Sequence, residues 1–532
     1  MLENVDEKEH FFMMIDDLYR RLKTVDKEVL GMGSEKLPSS INTAILGYIA
    51  SFGLSLIKDL YLNNTRSSGF LLSIRCIIEG IAIQMYLEKK SITPEQEEIF
   101  KLQSYLFEWD IYRRYPSFDD VLFDLNTINA NYIKSKEVLI KKYQYTSKQI
   151  DKIKRSKVPY IDNMKSFEDL IKRHLPSGIL EIYKTISLYV HPYNYRINDP
   201  KLFMILAETT INLLNKIFDN VTPSSKGLEY EYNMVIGMND LGYHTRKITN
   251  HQVDKLNKLC GMIDSIGYNF LAYSIEACTS PLIDYLLDTS MGYTEQSTTK
   301  WKTAIENLWY LNECIGDDDL GNKNELIYAH TYIKQRLNVG GEVLDDDFMV
   351  AYDFYIKKYS NGVPYEVFKK NFIGTTGYTI NEFGETKSLK KSVFTFIDEI
   401  SPKINDGQLD CNVREEPDFN FTNNENIEIV KINLSDLLKM KYDESQVMSH
   451  ASGYLYYSLS GAWYDGTQLA VLYEEILQVL LETLLNKLKE LYRMKLIPKK
   501  IVNYLRNFIN ENKDNIKNKG QVYLMPKIKK DY

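Results

Sequence analysis

Apolar residues recur at steps of three and four through most of this chain, and proline or glycine falls at the joints between such stretches. That period commits a chain to helices whose apolar stripes must be buried against one another, and so to an all-α architecture. The pattern predicts helices over residues 5–30, 39–62, 67–90, 94–115, 136–155, 164–190, 200–219, 251–288, 297–315, 323–337, 346–358, 387–400, 442–460, 466–493 and 498–512. Strand signals are few. "ENIEIVKINLS", residues 425–435, is the best of them, so at most minor β structure is expected.

At 532 residues the chain exceeds what one ordinary core covers, and its 44% hydrophobic and 26% charged residues belong to a globular protein rather than a disordered one. "DNVTPSSKGLEYEY", residues 219–232, breaks the helical pattern and marks a boundary between an N-terminal bundle, 1–222, and a C-terminal bundle, 223–532. The second is enlarged by an insertion at about 316–435. Within it, residues 404–430 carry seven acids and one arginine and read as an insertion or mobile loop.

Five scattered cysteines with no Cys-x-x-Cys pair suggest neither a zinc knuckle nor a disulfide framework, and a reducing cytoplasm is the expected home. The acidic, amphipathic start lacks the parts of a signal peptide. The longest uncharged run, residues 37–57, contains Asn42, Thr43, Tyr48 and four serines, which favours a buried helix over a membrane span, and no membrane partner is expected. The net charge of -7 hides an asymmetry: from Lys487 to Tyr532 there are 13 Lys or Arg against 4 Asp or Glu. Such a basic C-terminal arm, 487–532, suits a phosphate backbone, or simply a solvated helix pair with a polar tail.

Two stretches combine polar residues in a way that invites chemistry. "GFLLSIRCIIEGIAIQMYLE", residues 69–88, is apolar nearly all round except for Arg75 and Glu79, one turn apart. A buried ion pair needs further hydrogen bonds to complete it. "YKTISLYVHP", residues 183–192, sets Tyr183, Ser187 and His191 at i, i+4 and i+8 on one helix face, and Pro192 ends the helix. There the negative end of the helix dipole favours a protonated imidazole, which suits a general acid, a phosphate contact or a plain cap. Packing of the two helices would gather Arg75, Glu79, Tyr183 and His191, either as a polar clamp fixing helix register or as an active site.

The C-terminal half echoes the pattern: Tyr442 stands eight residues before His450, as Tyr183 does before His191, and a long apolar helix follows each histidine. Aligning residues 267–287 with the Arg75 helix puts Glu276 against Glu79 but Ala272 in place of Arg75. Two degenerate repeats are therefore expected, the second lacking the arginine.

The Arg75-x-x-x-Glu79 helix followed about a hundred residues later by "YKTISLYVHP" resembles a widespread bacterial helical domain of unknown function, whose members carry an Arg/Leu-Leu-Glu helix and a Ser-x-x-x-His-Pro helix end. That domain is similar to the HEPN superfamily of helical bundles, which dimerise and often act as metal-independent ribonucleases in toxin–antitoxin and phage-defence systems. The resemblance covers residues 40–220. It implies a bacterial defence or toxin effector acting on RNA without metal or cofactor, and a homodimer by family habit. In such an effector His191 is general acid/base, Arg75 steadies phosphate charge, Tyr183 and Ser187 position, and Glu79 holds Arg75. The rival expectation is a non-catalytic sensor or scaffold that binds a phage or host protein. The chain departs from the HEPN nuclease signature, in which arginine and histidine lie four to six residues apart on one helix. Its one literal match, Arg246 to His251, is set aside because Thr249 and Gln252 read as a capping box that leaves Arg246 outside the next helix.

His330, the acid-rich 316–325 and the Gly/Thr-rich 371–388 offer no metal, calcium or P-loop spacing.

Overall fold

A computed structural model describes residues 5–29, 41–61, 68–89, 92–119, 123–155, 166–189, 200–229, 240–290, 294–317, 320, 378–380, 386–414, 427–448, 466–518 and 524–526. The protein is all-α. Its N-terminal helices are α1 (Val5–Val29), α2 (Ile41–Tyr61), α3 (Ser68–Lys89), α4 (Pro94–Tyr112), α5 (Leu125–Tyr143), α6 (Ser147–Arg155), α7 (Phe167–His174), α8 (Ile179–Tyr189) and α9 (Pro200–Phe218). The C-terminal helices are α10 (Asp240–Asp264), α11 (Asn269–Ala277), α12 (Thr279–Ser290), α13 (Thr294–Gly316), α14 (Leu389–Ile400), α15 (Leu434–Met448), α16 (Gly466–Arg493) and α17 (Lys499–Asn518). The predicted helices at 323–337 and 346–358, and His330, lie outside the described residues.

Each half is built round a hairpin whose second helix is buried on most sides. In the first, α3 is enclosed by α2, α7, α8 and α9, and α1 closes over α2 and α9. Gly80 permits the close crossing of α2 and α3: a Cβ there would stand 2.8 Å from Ile49 Cγ1. In the second, α13 is enclosed by α11, α12, α15 and α16, and α17 lies against α16 and α10. Helices α2 and α3 are each long and apolar enough to cross a membrane, and both are buried inside the fold. A single hydrophobic core runs through both halves, with α3 packed directly on α12 and α13. A small satellite core of Ile99, Leu102, Leu139, Ile150 and Ile153 holds α4, α5 and α6 together.

Local sequence explains where helices start and stop. Thr93 and Gln96 form a reciprocal capping box with Pro94 at the first position of α4. The predicted 136–155 helix is two helices, because Gln144 adopts a left-handed conformation that ends α5. The predicted 164–190 helix is likewise divided, at Pro176 and Gly178, and the predicted 251–288 helix is divided into α10, α11 and α12. The capping-box reading of Thr249 and Gln252 is overturned: α10 runs unbroken from Asp240 through His251, and the Gln252 side chain instead bonds Asn512 of α17.

Among the described residues β structure is confined to short pieces: β1 (Tyr378–Ile380) pairs antiparallel with β2 (Thr386–Ser388). A second sheet, in the order β4 (Ile427–Asn433), β3 (Gln408–Arg414), β5 (Leu524–Pro526), has β3–β4 antiparallel and β3–β5 parallel. The expected 425–435 strand is β4. The loop reading of 404–430 is corrected in part, since 408–414 is a strand with apolar Leu409, Cys411 and Val413 in alternation.

The segment after α9 is strapped to α1. Arg21 donates to the carbonyls of Asp219 and Val221, Thr24 Oγ1 donates to Thr222 O at 2.9 Å, and the Leu228 amide donates to Asp16 Oδ1 at 2.8 Å.

Candidate functional site

The packing of α8 on α3 brings Arg75, Glu79 and Tyr183 together. Arg75 Nε lies 3.2 Å from Glu79 Oε1, and Tyr183 Oη donates to that same oxygen at 2.8 Å. The Arg75 guanidinium also lies 5.9 Å from the centre of the Tyr183 ring. Glu79 is fully buried, and Arg75 and Tyr183 are 8% and 7% exposed. Burial, then the Glu79 charge, raises the Tyr183 phenol well above its ordinary range, so it stays protonated and acts as a donor. For Arg75, burial opposes the charge, but the Glu79 carboxylate beside it overcomes this and holds the guanidinium charged. Cys76 beside them is pushed up to about 12 by burial and by Glu79, which leaves it an unreactive thiol. Ser187 sits one turn past Tyr183, and its hydroxyl has no hydrogen-bond partner among the described residues. His191 and His450 lie outside the described residues.

A like tyrosine-to-glutamate bond stands in the C-terminal half, made by the expected Tyr442 with a partner the sequence reading missed. Tyr442 of α15 is fully buried, and its Oη donates to Glu306 Oε1 of α13 at 2.8 Å. One turn before Glu306 is Lys302, in the position that Arg75 holds relative to Glu79. The expected equivalent, Glu276, is corrected: it is exposed on α11, where its carbonyl accepts from Thr279 Oγ1 at 2.7 Å, and Tyr442 pairs with Glu306. The signal lay in "KTAIE", residues 302–306, which matches "RCIIE", residues 75–79, once lysine is allowed to stand for arginine. Burial lowers the Lys302 pKa, with Arg75 adding to the fall and Glu306 opposing it, so the cations of the two sites feel one another across the packed α3 and α13.

A second polar cluster, with no warning in the sequence, joins the halves. Lys58 and Asp59 end α2, Asp284 and Asp288 lie on α12, and Lys300 lies on α13; all five are buried. Lys58 Nζ bonds Asp288 and lies 3.3 Å from Asp59 Oδ1. Lys300 Nζ donates to Asp288 Oδ2 at 2.9 Å and to Ser55 Oγ at 3.0 Å, and lies 3.7 Å from Asp59 Oδ2. Burial, reinforced by Asp59 and Asp288 against the two lysines, pushes Asp284 up to about 7. Gly69, in the first turn of α3, leaves room for that carboxyl, which a Cβ would meet at once. Among the described residues no group of three or more His, Cys, Asp or Glu is arranged to hold a metal ion. Here the ammonium groups of Lys58 and Lys300 lie among the three aspartates.

A third tie runs from the N-terminal half to α15. Asp443, next to Tyr442, accepts from Arg114, from Lys390 and from Tyr115 Oη, the last at 3.0 Å. The clamp tyrosine of the second half is therefore fixed from three directions: Glu306, the Asp443 ties, and Phe394, which meets its ring edge-on at 5.9 Å.

The basic C-terminal segment begins as part of a packed helix pair. In α17, Glu511 pairs with His251 at 3.0 Å and with Lys255 at 3.0 Å, and Lys513 pairs with Glu482 at 2.9 Å. Compared with known proteins, the chain matches no family model, no curated protein and no solved structure.

Proposed function

We propose that this chain is an internally paired, HEPN-like effector of bacterial defence acting on RNA, in which one polypeptide supplies both halves of what the family assembles by dimerisation. The observation that carries the reading is the repetition of a tyrosine-to-glutamate clamp, with a cation one turn before the glutamate, on facing helices of the two halves. Burial assigns the clamp residues a positioning role: Glu79 fixes Arg75 and Tyr183, and Tyr183 orients α8, two residues beyond which the sequence places His191. His191, with His450 as its echo, is then the proton-handling group, and Ser187, whose hydroxyl is buried, positions with Tyr183. The free thiols of Cys76, Cys260, Cys278 and Cys314 support a reducing, cytoplasmic home.

A second reading is favoured by the same burial. If Arg75, Glu79 and Tyr183 only lock helix register, the chain is a non-catalytic sensor or scaffold that presents its surface to a phage or host protein.

Cleavage of labelled RNA in the presence of a chelator separates the two. On the effector reading wild type cuts, and His191→Ala lowers the rate by about a hundredfold or more while melting like wild type. If wild type leaves RNA intact across varied sequences and structures, the scaffold reading stands.

A further inference from the structure

Away from the clamps, the turn that joins α16 to α17 has an unusual surface. Among the described residues eight large apolar side chains are exposed, and three of them fall within five positions: Tyr492 at 39%, Met494 at 65% and Leu496 at 60%. They alternate with exposed Arg493 and Lys495, and exposed Lys499, Lys500 and Arg506 follow. From Leu491 to Asn510 there are five Lys or Arg and no Asp or Glu. Glu490 and Glu511 flank the stretch, and among the described residues its five bases make no ion pair, unlike the far end of α17.

The backbone holds the display rigidly. Lys495 takes a left-handed conformation, φ 61°, where glycine is the usual choice. Its amide donates to Tyr492 O at 2.9 Å and the Leu496 amide donates to Leu491 O at 3.0 Å, which together close a Schellman turn. Buried Leu491 and Ile497 brace the turn from beneath. Met494 and Leu496 are therefore held outward by an ordered cap and not by a frayed end.

We propose that this turn docks the protein on a lipid surface rich in anionic headgroups. Met494 and Leu496 enter the boundary between headgroups and acyl chains, Tyr492 lies at the interface, and Arg493, Lys495, Lys499 and Lys500 pair with lipid phosphates. A nucleic-acid backbone would account for the bases but gives two aliphatic side chains nothing to stack on. An anionic bilayer meets both demands at once. The sequence expectation of no membrane partner concerned spanning segments, and surface docking needs none. The inference is independent of whether the chain cuts RNA.

The test is co-sedimentation of the full-length protein with vesicles of phosphatidylcholine alone or with added phosphatidylglycerol. Wild type is expected to pellet only with the anionic vesicles and to be released by salt. Arg493→Gln with Lys495→Gln should weaken binding about thirtyfold, from roughly a fivefold contribution per base. Met494→Ser with Leu496→Ser should also release the protein although every charge remains. All these positions are exposed, so unchanged thermal melting certifies the variants. Wild type left in the supernatant with anionic vesicles overturns the proposal. So does a serine double variant that binds like wild type, or binding to RNA that the glutamine variant loses while vesicles are ignored.

Discussion

Replacing Lys300 with methionine tests whether the buried charges between the halves hold them together. Lys300 keeps the length of the side chain's stem under this change but loses the ammonium that reaches Asp288, Ser55 and Asp59. Three carboxyls then face Lys58 alone. Removing one partner of a buried pair and leaving the other uncompensated costs about 3–5 kcal/mol. Set against a total stability of about 5–15 kcal/mol, that is about a fifth of it or more. Asp288→Asn in the same background removes the orphaned charge, so the double variant should recover about 1–3 kcal/mol of the summed single losses. Urea unfolding followed by far-ultraviolet circular dichroism, on wild type, both single variants and the double, measures all four corners. A Lys300→Met loss below about 1 kcal/mol, the range of exposed pairs, would mean that water reaches the cluster and that the argument from burial is wrong. Strict additivity would mean that the two side chains do not interact.

Asp284 gives the cluster a pH dependence of definite sign. Its folded pKa of about 7 lies above the ordinary 3.8, so the folded state binds a proton that the unfolded chain releases. The stabilisation is complete below pH 3.8 and is lost as the pH rises through about 7. It amounts to roughly 4 kcal/mol at 1.36 kcal/mol per unit. The stability difference between wild type and Asp284→Asn should therefore fall over that interval, and a difference that is flat with pH would contradict the assignment. Gly69→Ala drives a methyl into the Asp284 carboxyl and to 2.9 Å from Lys300 Cδ, and should lower stability by about 1–3 kcal/mol in the same assay. Tyr183→Phe and Tyr442→Phe each leave a buried glutamate oxygen without its phenol donor and should each cost about 1–3 kcal/mol. Equal losses from the two, read by thermal melting, fit equivalent clamps; a silent Tyr442→Phe would show the second to be weaker than its geometry.

Much of the helical fold was written in local pattern. Periodicity placed α2, α3, α9 and α16 to within about two residues, because those helices are apolar over most of their length and end at clear breaks. The Arg75–Glu79 pair was legible because two charges in an otherwise apolar helix demand a partner, and Tyr183 supplies it. Helix interruptions were harder. Gln144 ends α5 through its own backbone conformation, at a residue type that carries no turn signal. The strand at 408–414 was hidden in a longer stretch rich in acids, although Leu409, Cys411 and Val413 alternate in plain view. The second clamp was missed because the apolar stretch 267–287 matches the Arg75 helix in pattern, with Ala272 in place of the arginine, whereas Lys302 and Glu306 lie in a stretch with more polar residues. The Lys58–Asp288 contact spans 230 positions, and no local rule pairs residues that far apart.

The strap between α1 and the segment after α9 bears on how the chain folds as it is made. Its hydrogen bonds join residues 198 positions apart, so the polar groups of Arg21 and Thr24 find these partners only after nearly two hundred further residues have been added. At about 5–20 residues per second, that is a wait of roughly ten to forty seconds on the ribosome. During it, the face of α1 that carries Ile15, Leu18, Tyr19 and Leu22, all buried in the finished molecule, has α2 to cover it but not yet α9. Helix α1 is thus among the last of its half to be completed, although it is made before α2 to α9, and the nascent chain carries an open apolar seam for most of the time that separates α1 from α9.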